Sequence, residues 1–192
     1  ALLEVMEESR VTVDGVSHEL PVPFTVIATE NPFGSSGTQM LPESQLDRFL
    51  ICLNMGYPSH EAAMDILRGS DKRSLEQVRS VLSAKRLMEL RESAAHLHAE
   101  DTILEYIINL TEATRQDPRI ALGASPRGSI ALLKMARATA LMRGGDYVIP
   151  EDVLSVINDV WRHRIHLNAK ARAEGADVEQ VILDITERIQ AV

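Results

Sequence analysis

Asn31 is the first side chain in this sequence whose type and position suit a chemical role. It lies in the stretch FTVIATENP, residues 24–32, where a continuous apolar run leads directly into Glu30, Asn31 and Pro32. Ligands of open parallel sheets collect at the carboxyl ends of the strands, and an amide there orients a water or a phosphate oxygen without adding charge. Asn-Pro also commonly begins a turn, so the residues alone leave both interpretations open.

Arg48 is a second candidate for binding an anion. It follows Asp47 in QLDRFL, between a helical turn and an apolar run. A guanidinium at such a place can form a fork toward a phosphate or a neighbouring carboxylate. A surface ion pair with Asp47 or Glu43 is the simpler alternative.

Arg127 is the third candidate, and its position in a predicted helix makes it the most specific. In GASPRGS, Ser125 predicts an N-cap and Pro126 the first helical position, which places Arg127 in the first turn. The helix dipole opposes a cation there by about 0.3–1 kcal/mol. The placement therefore suggests a nearby anion, although an exposed arginine that tolerates the site is the alternative.

Two other kinds of site are not supported by the sequence. His96 with His98, and His163 with His166, lack a third ligand, so no metal site is predicted. No glycine is followed by lysine, so the phosphate loop G-x-x-x-x-G-K-S/T is absent from these 192 residues. We therefore expect this chain on its own not to hydrolyse a nucleotide.

The candidates before residue 57 depend on predicted β structure. Asp14-Gly15, between alternating apolar residues, predicts a β-hairpin within residues 10–20. Continuous apolar runs at 24–29 and 48–55 are typical of strands buried on both faces of a parallel sheet. Residues 1–56 are thus predicted to form part of an α/β layer.

From residue 57 onward the apolar residues follow helical periodicity to the end of the chain. The predicted helices span 59–68, 74–91, 101–115, 126–143, 150–166 and 177–190. Trp161 is predicted to be a core anchor, and the VILDI segment near the end is assigned to a helix. We place the domain boundary between residues 56 and 57.

Composition and charge narrow the class of protein. With 45% hydrophobic and 25% charged residues the chain is ordinary globular protein, and the net charge of −8 argues against nucleic acid as its main ligand. The single cysteine, Cys52, is predicted to be a reduced core residue, which fits a cytoplasmic protein. No run reaches the roughly 18 apolar residues of a membrane span.

The chain begins with ALLEVMEE, which lies within a predicted helix and has no N-cap before it. We therefore expect further sequence upstream.

Several motifs, in order along the chain, resemble the MoxR-type AAA+ ATPases. They are ALLEVMEESRVTVDG, LPVPFTVIATENP, LPESQLDRFL, GYPS, and GASPRGSIALL followed by RGGDYVIPEDV. The match runs over nearly all 192 residues. It implies an AAA+ P-loop NTPase fold of the helix-2-insert clade, truncated at the N-terminus. Residues 1–56 would be the C-terminal portion of the αβα core, and residues 57–192 an all-helical lid.

The same resemblance implies a role for each candidate residue. Asn31 would be the sensor 1 residue, which helps to position the water that attacks the γ-phosphate. Arg48 would be the arginine finger, which reaches the nucleotide of a neighbouring subunit, and Arg127 would be sensor 2 on the lid. The hairpin at 10–20 resembles the insertion that precedes sensor 1 in this clade.

The family also implies ATP and Mg²⁺ as cofactors, with their main ligands upstream of Ala1. It implies a hexameric ring of identical subunits that remodels or activates proteins, with a von Willebrand factor A domain protein as a possible partner. The sequence departs from the family at Glu30, in the FGSSG loop and at Gln39-Met40, while Asn31 and Arg48 are intact. A noncatalytic assembly module, a magnesium-chelatase ATPase subunit and a DNA-unwinding relative are the alternatives.

Overall fold

The computed structural model describes residues 5–6, 8–30, 41–69 and 78–190. Two strands near the beginning, β1 (Arg10–Val13) and β2 (Val16–Glu19), pair antiparallel with Val13 opposite Val16. Asp14 and Gly15 between them have φ angles of 50° and 78°. A type I′ turn needs positive φ at both central residues, so the predicted hairpin is confirmed.

The apolar runs predicted as parallel strands are not strands in the structure. Neither 24–29 nor 48–55 contains strand residues, and the named strands in the described part of the chain form two antiparallel pairs. Ile27 is 86% exposed and Leu53 is 63% exposed. A strand needs a hydrogen-bonded neighbour, and these runs have none among the described residues. Cys52, predicted to be in the core, is exposed because it belongs to the second run.

The remaining described residues are mainly helical. The helices are α1 (Glu43–Leu46), α2 (His60–Leu67), α3 (Ala84–His96), α4 (Asp101–Gln116), α5 (Pro126–Met142), α6 (Pro150–Leu154), α7 (Ile157–Trp161), α8 (Ala169–Ala173) and α9 (Val178–Arg188). The predictions for 59–68, 101–115, 126–143 and 177–190 are confirmed as α2, α4, α5 and α9, with small shifts at the ends. VILDI lies in α9, as predicted.

Two predicted helices are wrong in their limits. The helix expected at 74–91 begins at Ala84, where the Ser83 hydroxyl accepts a hydrogen bond from Arg86 N at 3.1 Å, and it continues to His96. Residues 74–77 lie outside the described residues. Ser83 is a better N-cap than any apolar residue before it, so the helix starts there.

The single helix predicted at 150–166 is broken into α6 and α7 and ends at Trp161. His166 and Leu167 instead form a short strand, β4, which pairs with β3 (Ile120–Leu122). Pairing with a strand distant in sequence overrides the local helical periodicity. The part of the chain after residue 57 therefore contains a small two-stranded sheet that the all-helical prediction did not include.

The hydrophobic core lies between α4, α5, α7 and α9. Leu110, Leu132, Trp161 and Ile182 are at most 1% exposed. The Trp161 indole donates a hydrogen bond from Nε1 to Gly128 O at 3.1 Å, which satisfies its one polar group. Trp161 is thus the core anchor that the sequence predicted, and it fixes α7 against the start of α5.

Candidate functional site

Asn31 lies outside the described residues, as do residues 32–40. The residues that flank this stretch are tied together, because Leu41 N donates a hydrogen bond to Glu30 Oε1 at 3.1 Å. The role of Asn31 in contacting a phosphate stays a prediction, because this residue lies outside the described part of the chain.

Arg127 lies in the first turn of α5, as predicted. Ser125 is the N-cap, and its hydroxyl accepts a hydrogen bond from Gly128 N at 3.2 Å, while Pro126 occupies the first helical position. Arg127 is exposed. Its cationic group thus lies at the positive end of a 17-residue helix, where an anion would be stabilised by both charges.

The loop before α5 is held by α4. Thr114 Oγ1 accepts a hydrogen bond from Ala124 N at 3.0 Å, and Arg115 Nε donates one to Ala124 O at 2.9 Å. A Cβ on Gly123 would lie 2.8 Å from Arg115 N. Because the backbones approach so closely, glycine is needed at this position, and the start of α5 is fixed in place.

Arg48 follows α1 in a segment that lies against the helical part of the chain. It is half-buried, and its backbone N–H donates to Gln45 O at 3.2 Å. Further along the segment, Cys52 N donates to Asp159 O of α7 at 2.8 Å. The segment that carries Arg48 is therefore anchored to α7 instead of pairing in a sheet.

Arg164 is the centre of this anchor. Its side chain is 2% exposed, and Nε donates to Asp47 Oδ1 at 2.9 Å. Nη2 donates to the carbonyls of Asp47, at 3.1 Å, and Phe49. Nη1 donates to the carbonyls of Leu50, at 3.1 Å, and Val160. A guanidinium has five N–H donors, and each has an oxygen here, which is the condition for burying such a charge.

The Asp47 carboxylate joins this anchor to the start of α5. The Ser125 hydroxyl donates toward both carboxylate oxygens of Asp47 at 3.4 Å. Asp47 immediately precedes Arg48, and Ser125 is two residues before Arg127. The structure thus brings together the segments that carry two of the three predicted site residues.

Burial and neighbouring positive charge lower the pKa values of Arg164 and His163 in this region. Burial lowers the pKa of Arg164, Asp47 opposes that change, and the nearby Arg127 charge lowers it further. Burial, with the Arg164 charge added to it, lowers the pKa of His163 to about 4. His163 is therefore neutral at pH 7, and its Nε2 lies 3.1 Å from Phe49 O and 2.8 Å from Arg164 Nη1.

Sequence reasoning missed Arg164, although a signal was present. Val160 and Trp161 are buried, and a helical period of 3.6 places Arg164, four and three residues later, on the same face as these two. An arginine on an apolar face requires buried partners. The sequence suggests Asp47 only as an ion-pair partner of Arg48, whereas its carboxylate accepts from Arg164 and Ser125.

No group of three or more His, Cys, Asp or Glu side chains is placed to hold a metal ion in the described part of the chain. No helix among the described residues is both long and apolar enough to cross a membrane.

Two family models match the chain in succession. Residues 1–51 match the ATPase family associated with various cellular activities (AAA), and residues 112–185 match the AAA lid domain. The second match begins in the last third of α4 and runs into α9, so it includes Arg127 and Arg164. The first match includes Asn31, Arg48 and the β1–β2 hairpin.

Relatives and one solved structure agree with these models. The chain is 43% identical over 191 residues to the uncharacterized protein YeaC of Bacillus subtilis, covering 99% of this chain and 60% of YeaC. It is 39% identical over 198 residues to the chaperone MoxR1 of Mycobacterium tuberculosis, covering 98% of this chain and 52% of MoxR1. A crystal structure of a "putative ATPase" from Cytophaga hutchinsonii superposes with a TM-score of 0.90 at 34% identity, covering 100% of this chain and 61% of that one.

The chain thus spans between about half and three fifths of the length of these proteins. The matches follow the order of the motifs along the chain, with the AAA model first and the lid model second. Taken with relatives named MoxR, they establish that this chain belongs to the MoxR-type AAA+ ATPase family, with part of an AAA core followed by a predominantly helical lid.

Proposed function

We propose that this chain is part of an ATPase that couples ATP hydrolysis, in a ring of identical subunits, to the remodelling or activation of partner proteins. Asn31 acts as sensor 1 and orients the attacking water. Arg48 acts as an arginine finger on the nucleotide of the neighbouring subunit. Arg127 acts as sensor 2 and contacts the nucleotide from the lid. Residues 1–56 form the core portion and residues 57–192 form the lid.

The observation that carries this proposal is the contact between the segments of Arg48 and Arg127. Asp47 and Ser125 meet through their side chains, so both arginines belong to one anchored region. Arg127 lies at the positive end of α5, where the helix end and the guanidinium together favour a bound anion. A nucleotide phosphate supplies such an anion.

Phosphoryl transfer depends on positioning and on positive charge, because the protein need form no covalent bond to the substrate. An arginine supplied from outside the nucleotide site can accelerate the reaction by about 10³–10⁵-fold. If that arginine comes from a neighbouring subunit, hydrolysis depends on assembly of the ring. Arginine is suited to the task because its charge persists at all working pH values and its fork fits phosphate oxygens.

The described residues fit part of an ATP site. The Arg48 and Arg127 guanidiniums suit phosphate oxygens, whereas a magnesium ion needs carboxylate or carbonyl oxygens. No cluster of metal-binding side chains is found among the described residues. We therefore assign Mg²⁺ no ligand from them and derive no step through it.

The proposed partners follow from the family. A relative named as a chaperone, MoxR1, supports a protein as the substrate. We propose a hexameric ring that works in the cytoplasm, possible partners being proteins with a von Willebrand factor A domain. The net charge of −8 disfavours nucleic acid as the substrate.

Arginine variants of the full-length protein test the proposal. We expect Arg48→Ala to lower kcat for ATP by about 10³-fold or more, with nucleotide affinity retained, because the finger serves another subunit's site. Arg127→Ala is expected to weaken nucleotide binding as well as kcat. Steady-state hydrolysis and calorimetric titration with ATP measure the two effects.

Arg86→Ala is the matched control, because Arg86 is an exposed arginine on α3 that pairs with Glu89 at 2.9 Å. It should change neither quantity. Wild-type hydrolysis by assembled Arg48→Ala protein would show that Arg48 is not the finger. Absence of ATP hydrolysis in the unmodified full-length protein would instead favour a noncatalytic assembly module, the alternative motivated by the absence of a Gly-Lys pair from this sequence.

A further inference from the structure

Arg164 contacts the backbone on both sides of Arg48. Its Nη2 donates to the carbonyl of Asp47, the residue before Arg48, and to that of Phe49, the residue after it. Its Nη1 reaches the carbonyl of Leu50 at 3.1 Å. Three carbonyls in four consecutive residues are therefore fixed by one planar group, which determines the direction in which the Arg48 side chain leaves the backbone.

The guanidinium is held on its other side by the lid. Val160 O of α7 accepts from Nη1, and a Cβ on Gly128 would lie 3.3 Å from Arg164 Cδ. Gly128 is in α5, one residue after Arg127, and its carbonyl accepts from the Trp161 indole. Arg164 is thus packed between the segment of Arg48 and the helix that carries Arg127.

Other polar contacts also join these two parts of the chain, such as Cys52 N to Asp159 O at 2.8 Å and His166 Nδ1 to Glu43 Oε1 at 3.3 Å, whereas Arg164 by itself donates to four oxygen atoms of residues 47–50. Other buried ion pairs are confined to the helical part itself, as with Asp117 and Arg119 at 3.0 Å or Arg143 and Asp152 at 3.0 Å. Arg164 and Asp47 are 117 residues apart in the chain and join α7 to the segment after α1. A shift of the lid would therefore carry this segment with it.

We propose that Arg164 is a positioning residue that couples the lid to the arginine finger, so that the placement of Arg48 at the neighbouring site follows the position of this subunit's own lid. This inference rests on the proposed role of Arg48. Asp47 completes the coupling by holding Arg164 and the Ser125 N-cap at the same carboxylate.

The variant Arg164→Lys separates this role from a general loss of charge. It keeps the charge, but an ammonium group has three donors around one nitrogen and cannot reach five separated oxygens. We expect Arg164→Lys in the full-length protein to lower kcat for ATP by about tenfold or more with little change in KM, in line with couplings between contacting residues. Arg162→Lys is the matched control, because Arg162 is also largely buried and pairs with Glu179 instead.

A double variant distinguishes positioning from a structural defect. If Arg164 acts through Arg48, then Arg164→Lys has less than about a twofold effect on kcat in an Arg48→Ala background. An equal fall in both backgrounds would overturn the inference, as would an unchanged kcat for Arg164→Lys alone.

Hydrogen exchange keeps this test distinct from that of the proposed function. The amide of Cys52, bonded to Asp159 O, should exchange faster in Arg164→Lys, while amides of α4 and α5 keep their protection. If Arg48→Ala retains full kcat, the finger assignment fails, and exchange alone then decides whether Arg164 anchors the segment. Unchanged exchange at Cys52 would overturn the anchor.

Discussion

At the scale of single residues, the fully bonded guanidinium of Arg164 sets the properties of its neighbours. Its charge and the surrounding burial keep His163 neutral, with a pKa lowered to about 4. The imidazole Nε2 lies between the Phe49 carbonyl, at 3.1 Å, and Arg164 Nη1, at 2.8 Å. Protonation of His163 would place a second positive charge beside the guanidinium that binds the carbonyls of this segment.

We predict that His163 makes folding stability depend on pH. The unfolded chain protonates this residue near its ordinary pKa of 6.5, whereas the folded chain does so only near 4. Between these values the unfolded state binds more protons, so the stability present above pH 6.5 is lost as the pH falls toward 4. The slope reaches at most about 1.4 kcal/mol per pH unit.

His163→Gln removes this titration and retains an N–H for Phe49 O. Urea unfolding from pH 7.5 to 4.5 should give a flatter dependence of the unfolding free energy for the variant than for the unmodified protein. Other ionisable groups are shared by both proteins, so their difference isolates His163. Parallel curves would show that the pKa of His163 is not lowered in the folded state.

The candidate residues were recognisable from sequence to different degrees. Arg127 was predicted in the first turn of a helix because Ser-Pro is a local signal for a helix start, and the structure confirms that placement. Arg164 was not recognised, because its partners at Asp47–Leu50 are more than 100 residues away in the chain. When a polar group is buried by residues distant in the chain, the nearby sequence shows only that the group lies on an apolar helix face.

At the scale of elements, the loop from Gly123 to Ser125 determines where α5 begins. Thr114 and Arg115 of α4 bind the backbone of Ala124 on both its N–H and its carbonyl. The close approach of Gly123 to the backbone of Arg115 makes this loop intolerant of added volume. The position of Arg127 is thus set by α4 through the loop.

We predict that Gly123→Ala lowers the unfolding free energy by about 1–3 kcal/mol, as overpacking of a tight site does. The new Cβ would lie 2.8 Å from both Arg115 N and Thr114 Oγ1, and a backbone atom cannot rotate away. Denaturant titration of the variant measures the loss. Ala121→Ser, an exposed change two residues earlier, should cost less than about 0.5 kcal/mol. Equal stability of Gly123→Ala and the unmodified protein would contradict the packing seen here.

Helices with a local start or stop signal were predictable, and elements that depend on distant partners were not. α4 and α5 were predicted within a residue or two. By contrast, β4 forms only because β3 lies beside it. The runs at 24–29 and 48–55 have strand composition, yet they remain unpaired among the described residues, because composition cannot supply a neighbouring strand.

At the scale of the whole molecule, the fold agrees with its relatives over the length that they share. The TM-score of 0.90 covers the complete chain, and the chain covers 52–60% of two curated relatives. The exposed apolar side chains of Ile27, Leu53 and Met55 belong to the two runs that the family resemblance assigns to the core sheet. The family was predictable because several motifs occur in order, and no single motif would have sufficed.

The central claim is that Arg48 completes the nucleotide site of a neighbouring subunit while Asn31 serves its own. Mixing two full-length variants tests this directly. If both roles are as proposed, Asn31→Ala subunits cannot hydrolyse ATP in their own sites but still present Arg48, whereas Arg48→Ala subunits keep their own sites and supply no arginine to a neighbour. Each variant alone should be nearly inactive. In mixed rings, Arg48→Ala sites next to Asn31→Ala subunits should recover ATP hydrolysis, whereas no recovery in rings shown to contain both variants would contradict the claim.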